Sequence, residues 1–341
     1  MTSQTQPRVQ APPEPPLRFR PTLDRRRVLR FLEAYALLII MVLVGVFFTF
    51  YSKTADTFFT SANMRILVSN QVVPALIALA ALLPLVCGEF DLSVGAITGV
   101  TAVYVASLLS GTVGLPAAIL IGLAIGCGVG LVNALLVTRA AVNGVITTLG
   151  TSTLLAGVVQ QKTGGQSLVG DVPKAFTDFG ANNFLGIPEV AWALAVITLG
   201  VYVLLAHTPY GRQLYALGSN PTAARLVGLR IRFLIGSSFV IAGLLSGIGG
   251  LIYVARAGGA DPSVGPSFTL TALAAAFLSA AAVRPGKYNV GGTIVAVFFL
   301  AVLNNGLSLA GAAPYVASYV NGAALIVGVA LAMSLSRRNA R

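Results

Sequence analysis

The sequence predicts an all-α polytopic membrane protein of about ten transmembrane helices. Two observations carry this fold class. Hydrophobic residues make up 56% and charged residues 9% of the 341 positions, against roughly 25% charged in an average globular chain. The charges also gather between long apolar runs, and mean hydropathy is +0.86. A crossing needs about 20 apolar residues. Suitable runs stand at about 33 to 51, 66 to 86, 92 to 110, 116 to 138, 142 to 160, 190 to 206, 233 to 254, 267 to 283, 290 to 310 and 314 to 335.

Residues 1–30 precede the first run. Six prolines (Pro7, Pro12, Pro13, Pro15, Pro16, Pro21) and Arg8, Arg18, Arg20, Arg25, Arg26, Arg27 and Arg30 lie there. Such a composition cannot build a core, so the segment reads as a disordered cytoplasmic tail ahead of a transmembrane domain spanning 31–336. A signal peptide fits less well, because the first run is long enough to span and no small-residue cleavage site follows it. With that start, ten crossings leave only Lys53, Arg65, Lys162, Lys174 and Arg256 of the 22 basic residues on the outer side. The bias agrees with the positive-inside rule and puts both termini in the cytoplasm. The net charge of +12 therefore reports topology, and no nucleic-acid partner is inferred from it.

The second span carries Asn70 and Gln71, with Pro74 and Pro84 placed to bend it and open a cavity. Glu89 and Asp91 follow, the only acids between Asp56 and Asp171. An acid at the bilayer centre is costly, so each needs water, a partner or a helix terminus. Asp91 can cap the third helix; direct contact with a transported solute is the other reading. Gly122, Gly126 and Gly130 in the fourth span, and Gly243 and Gly247 in the seventh, are small faces for close helix packing, within one chain or across a dimer seam. Asn143, Thr147 and Thr148 open the fifth span, and Asn304 and Asn305 lie in the ninth. Amides and hydroxyls of this kind can replace a sugar's hydrogen bonds to water, or they can bond neighbouring helices.

Between the sixth and seventh spans lies a polar loop at 207–232. Its core runs Gly218-Ser219-Asn220-Pro221-Thr222-Ala223-Ala224-Arg225-Leu226-Val227-Gly228. Asn220 can cap a short helix, Pro221 suits its first position and Gly228 its end. The chemistry of an enzyme is missing from the sequence. His207 is the sole histidine, Gly286-Lys287 lacks the rest of a phosphate loop, and Cys87 and Cys127 have no metal or disulfide spacing.

Gly218-x-Asn220 followed by Ala223-Ala224-Arg225 and Gly228 resembles the coupling loop of ABC importer permeases. Glu89-Phe90-Asp91-Leu92-Ser93-Val94-Gly95 is similar to the signature of the ribose-type sugar permeases in that group. Thr147-Thr148-Leu149-Gly150-Thr151 and Asn305-Gly306-Leu307 extend the resemblance over about 60 to 330. It implies two inverted sets of four helices, spans two to five and seven to ten, in the inner membrane of a bacterial cell. It further implies that Gly211, Gly218, Asn220, Ala223, Ala224, Arg225 and Gly228 dock an ABC ATPase subunit, which binds ATP and Mg while this chain binds no cofactor. A periplasmic or surface binding protein would deliver a simple sugar to the outer loop at 161–189, and the permease would work as a homodimer or with a paralogous permease. Glu89, Asp91 and Ser93 would be structural or gating residues.

One departure stands out. Phe268-Thr269-Leu270 replaces an acidic Tyr-Glu-Leu-like element of the family, which opens the substrate more than the fold. Three alternatives remain: an ion-coupled secondary transporter using Glu89 and Asp91, or an ABC permease for nucleosides or for branched-chain amino acids.

Overall fold

The computed structural model describes residues 25–111 and 113–339. In chain order the elements are α1 (Arg25–Phe50), α2 (Ser61–Val86), α3 (Val94–Leu109), α4 (Leu115–Thr138), α5 (Gly144–Thr163), β1 (Leu168–Val169), α6 (Lys174–Ala181), β2 (Asn183–Phe184), β3 (Ile187–Pro188), α7 (Glu189–His207), α8 (Pro209–Ser219), α9 (Pro221–Leu226), α10 (Ile231–Ala257), β4 (Gly259–Ala260), α11 (Val264–Leu278) with a 3-10 turn at Ser279–Ala281, α12 (Val290–Leu309) and α13 (Tyr315–Asn339). A helix stands on every predicted apolar run. Among the described residues, seven helical segments are long and apolar enough to cross a membrane: α2, α4, α7, α10, Val264–Ala281, α12 and Tyr315–Ser334. Ala34–Phe50 and α3 are apolar but shorter. The chain is thus an all-α polytopic membrane protein.

Residues 1–24 of the expected tail lie outside the described residues. The helix α1 begins at Arg25, within the segment expected to be unstructured. Arginine and leucine are good helix formers, and Val28 and Leu29 already lead into the apolar run, so the helix extends backward past the first charge cluster.

Two long helices form the centre. From Val72 to Val86 every residue of α2 is buried, which removes any amphipathic stripe and marks a helix surrounded by other helices. It runs antiparallel to α10, as three pairs show: Arg256 bonds Ser69 and Asn70, Ile77 lies beside Gly249, and Cys87 Sγ sits 3.6 Å from Ser238 Oγ. Across the other side of α10 lies α4. A Cβ added to Gly247 would stand 3.3 Å from the Gly126 Cα, and one on Gly130 would stand 3.0 Å from the Val240 Cα. The predicted glycine faces therefore pack within the chain, where their small size lets backbones meet.

The helices α3 and α11 start from two turns of the same Asp-x-Ser-Val-Gly pattern, Asp91-Leu92-Ser93-Val94-Gly95 and Asp261-Pro262-Ser263-Val264-Gly265. In the first, Asp91 Oδ1 accepts from the Ser93 N–H at 2.8 Å and its Oγ–H at 2.6 Å. In the second, Asp261 Oδ1 accepts from the Ser263 N–H at 2.7 Å and its Oγ–H at 2.5 Å. The two helices cross at these starts. A Cβ on Gly265 would lie 2.9 Å from the Gly95 carbonyl oxygen, and one on Gly99 would lie 3.2 Å from the Gly265 Cα.

Candidate functional site

The polar loop folds into two short helices mounted on the bundle. At α8 the Thr208 hydroxyl accepts from the Gly211 N–H and Pro209 occupies the first turn, a combination that sets a helix start. Gly211 approaches the Leu205 backbone, and Gly218 approaches the Val86 carbonyl at the end of α2. Neither position leaves room for a side chain. In α9 the Asn220 Oδ1 accepts from the Ala223 N–H at 2.9 Å, Pro221 stands at its first position, and Gly228 has φ +78. The sequence placed all three correctly.

Of this tip, Ala224 is buried against the bundle, while Ala223 and Arg225 are exposed. Leu226 is 83% and Val227 75% exposed. Two apolar side chains so bare, on a rigid polar loop outside the apolar spans, form a surface suited to contact with another protein.

The second region is a cavity of about 360 Å³ between α2, α10, α11 and α12, within the ~300–1,000 Å³ range of small-molecule sites. Each helix contributes one turn, because residues three or four apart share a face. Asn70, Gln71 and Pro74 come from α2; Tyr253 and Arg256 from α10; Ser267, Phe268 and Thr271 from α11; Leu300, Ala301 and Asn304 from α12. Pro74 lies inside α2 and has no N–H to donate to the Asn70 carbonyl one turn earlier. Arg256 donates from Nε to Ser69 Oγ at 2.8 Å and from Nη2 to Asn70 Oδ1 at 2.6 Å. Tyr253 and Phe268 meet edge to face with ring centroids 6.4 Å apart.

Three of the seven residues named for a solute path, Asn70, Gln71 and Asn304, thus share one cavity. The other four do not line it. Asn305 and Asn63 exchange two amide hydrogen bonds of 2.9 and 3.1 Å, tying α12 to the start of α2. Asn143 caps α5, its Oδ1 accepting from the Val145 and Ile146 N–H groups. The Thr148 hydroxyl donates to the Gly144 carbonyl and accepts from the Leu92 N–H. Thr147 is buried and its hydroxyl has no partner.

The acidic turn is part of the same junction. Asp91 is fully buried. The expected capping of α3 by Asp91 is corrected here: Ser93 holds the N-cap position without a side-chain bond to the helix, because Asp91 is turned back onto Ser93. Ser93 Oγ accepts from Asn133 Nδ2, and Asn133 Oδ1 accepts from Thr151, so four polar side chains link the turn to α4 and α5. The Glu89 carboxylate lies against Gly144, the first residue of α5, where the helix end favours negative charge. Burial raises its pKa.

Two features escaped the sequence reading. Arg256 was counted only as an outer loop charge; its position three residues after Tyr253 in an apolar helix was the available signal. The repeat of Asp-x-Ser-Val-Gly at Asp261 would have revealed the second turn. Thr269, where the family element places an acid, donates to the Gly265 carbonyl at 2.9 Å and packs against Gly95. That departure therefore acts at the α3–α11 crossing, while its neighbour Phe268 lines the cavity.

Residues 63–329 match the family described as branched-chain amino acid transport system, permease component. The ribose import permease protein RbsC of Escherichia coli (strain K12) is 31% identical over 305 residues, covering 87% of this chain and 92% of that protein. The protein of the same name from Bacillus subtilis (strain 168) is 32% identical over 276 residues, covering 81% and 86%. The autoinducer 2 import system permease protein LsrD of Escherichia coli O9:H4 (strain HS) is 32% identical over 266 residues, covering 76% and 81%. No solved structure matches the chain.

Proposed function

The chain belongs to the ribose-type ABC importer permeases, and from that membership we propose that it carries a simple sugar, a pentose or hexose, across the inner membrane. Its work is conformational. A separate ABC ATPase subunit binds ATP and Mg and grips the α8–α9 loop. A binding protein delivers solute to the outer segment 161–189, and two permease subunits, identical or paralogous, enclose the path. Both termini are cytoplasmic.

The observation that carries this reading is the mounting of the loop. Ala223, Arg225, Leu226 and Val227 face outward, while Gly218 rests on the Val86 carbonyl, three residues before Glu89. A push on α9 is thereby delivered to the end of α2 and to the Asp91 turn, the kind of rigid transmission that lets differential contacts at one site bias a two-state bundle. The paired Asp-x-Ser-Val-Gly turns support an inverted arrangement of α2–α5 and α10–α13, in which solute passes near the repeat interface. Asn70, Gln71 and Asn304 then line the path. The ion-coupled alternative through Glu89 and Asp91 is disfavoured because Asp91 is fully buried and bonded to Ser93.

Purification of the tagged chain from its own membrane tests the proposal. An ATPase subunit should copurify with the natural chain and be lost with Ala223→Glu, which places a charge on the exposed tip and leaves the bundle intact. Retention of the ATPase by that variant would refute the docking assignment. A chain that purifies alone and moves sugar in liposomes under an ion gradient would refute the importer mechanism altogether.

A further inference from the structure

The α2–α10–α11–α12 cavity is lined by polar groups with bonding capacity to spare, and they differ in sense. A guanidinium carries five N–H donors. Arg256 uses one toward Ser69 and one toward Asn70, and among the described residues no carboxylate pairs with it. Because Asn70 Oδ1 is taken by Arg256, its Nδ2 is left free to donate. On α12, Asn304 Nδ2 donates to Asn321 Oδ1 at 3.1 Å, and Asn321 Nδ2 donates in turn to Thr271 Oγ1 at 3.1 Å. This chain fixes the Asn304 amide, and its buried Oδ1 has no partner. The half-exposed Arg256 side therefore offers donors, and the Asn304 side a buried acceptor. The Tyr253 and Phe268 rings line the same cavity.

A hydroxyl group both donates and accepts, so a compound with several hydroxyls satisfies both sides at once. A compound that only accepts satisfies the Arg256 side alone. The buried Asn304 oxygen left unmatched is penalised more than a matched one is rewarded, which favours a solute that also brings it a donor. The rings supply an apolar face for the C–H side of a sugar ring.

We propose that Arg256 and Asn304 are specificity-determining residues of the transport path, Arg256 donating to one hydroxyl and Asn304 Oδ1 accepting from another, so that the cavity reads a polyhydroxylated ring at two points. This rests on the importer reading, and deepens it by naming the groups that read the solute.

The test is ligand-observed NMR on the full chain in detergent, with D-ribose and a deoxy analogue lacking one hydroxyl as probes. The natural chain should bind D-ribose more tightly than the deoxy analogue. Replacing Arg256 by Gln should weaken D-ribose binding about tenfold, the scale of one charged hydrogen bond, and should narrow the gap between D-ribose and the deoxy analogue. Asn304→Leu should narrow the same gap from the other side. A purely structural Arg256, serving only to tie α10 to α2, would shift both probes equally and leave their ratio unchanged; that result overturns the proposal. So does equal binding of D-ribose and the deoxy analogue by the natural chain. Either failure, in a chain that still copurifies its ATPase, leaves the importer mechanism standing, whereas loss of that copurification strikes the mechanism itself.

Discussion

The Asp91 and Asp261 turns share a pentad, a hydrogen-bond pattern and a following helix, yet they live in opposite surroundings. Asp91 and Ser93 are fully buried, bonded onward to Asn133 and Thr151. Asp261 is accessible to solvent, with Ser263 exposed, and its Oδ2 accepts from Ser167 Oγ at 3.0 Å. Beside it β1 and β4 pair antiparallel, Leu168 with Ala260 and Val169 with Gly259. One turn is anchored in the core, the other in an exposed loop held by the β1–β4 pair. The comparison teaches that Asp-x-Ser-Val-Gly encodes a helix start, and that tertiary placement decides what the start is for. The inner copy sits beside Glu89 and the seat of Gly218. The outer copy hands its helix to the cavity through Ser267, Phe268 and Thr271.

The crossing that joins the turns is where a substitution should hurt most. Gly95→Val places two methyl groups against the Gly265 carbonyl and the Thr269 hydroxyl, and backbone cannot yield as a flexible side chain can. Overpacking of this kind costs about 1–3 kcal/mol and sometimes more, so the variant should fail to accumulate or should melt well below the natural chain in detergent. Melting unchanged from the natural chain would show that α3 and α11 do not meet at these glycines.

Removing the carboxylates separates the copies. Asp91→Ala leaves the Ser93 N–H without its acceptor in a dry site, a loss of about 1–3 kcal/mol for a buried donor left unsatisfied. Asp261→Ala exposes the same groups to water, and surface substitutions stay within about 0.5 kcal/mol. Thermal unfolding of the two variants should therefore differ several-fold in effect. Equal effects would mean that both turns are stabilised locally, with the Asn133–Thr151 links contributing nothing.

How far the sequence could reach follows from the same contrast. Signals that reside in neighbouring residues were legible: the apolar runs, the Asn220 cap with Pro221, the glycine faces of α4 and α10, and the acidic pentad. What stayed hidden was assembled by distant segments. Asn70, Arg256 and Asn304 meet only because α2 and α10 run antiparallel and α12 closes against them, and no spacing along the chain records that. Asn305 looked equivalent to Asn304 but is turned to Asn63, a choice made by one helical step of about 100°. The family was readable from the α8–α9 motif because its residues are contiguous along the chain.

The smallest expected effect is the response to pH, and it has opposite sign in the two copies. Burial pushes the Asp91 carboxyl from its ordinary 3.8 up to about 6, against the pull of its bonds to Ser93. The Ser93-like partner of the other copy prevails, and the Ser263 bonds hold the Asp261 carboxyl below its ordinary value. A raised acid binds more protons folded than unfolded, so the contribution of Asp91 is fully present below about pH 4 and is lost as pH rises toward 6. A lowered acid does the reverse: Asp261 contributes above the ordinary carboxylate range and loses that contribution as pH falls through its depressed folded value. Melting temperatures measured from pH 3 to 7 should show this directly. Asp91→Asn should flatten the decline between about pH 4 and 6, and Asp261→Asn should flatten only the acid limb below it. Were Asp91→Asn to leave the profile parallel to that of the natural chain, the inner carboxyl would be ionised throughout, and its surroundings would have to be as wet as those of its twin.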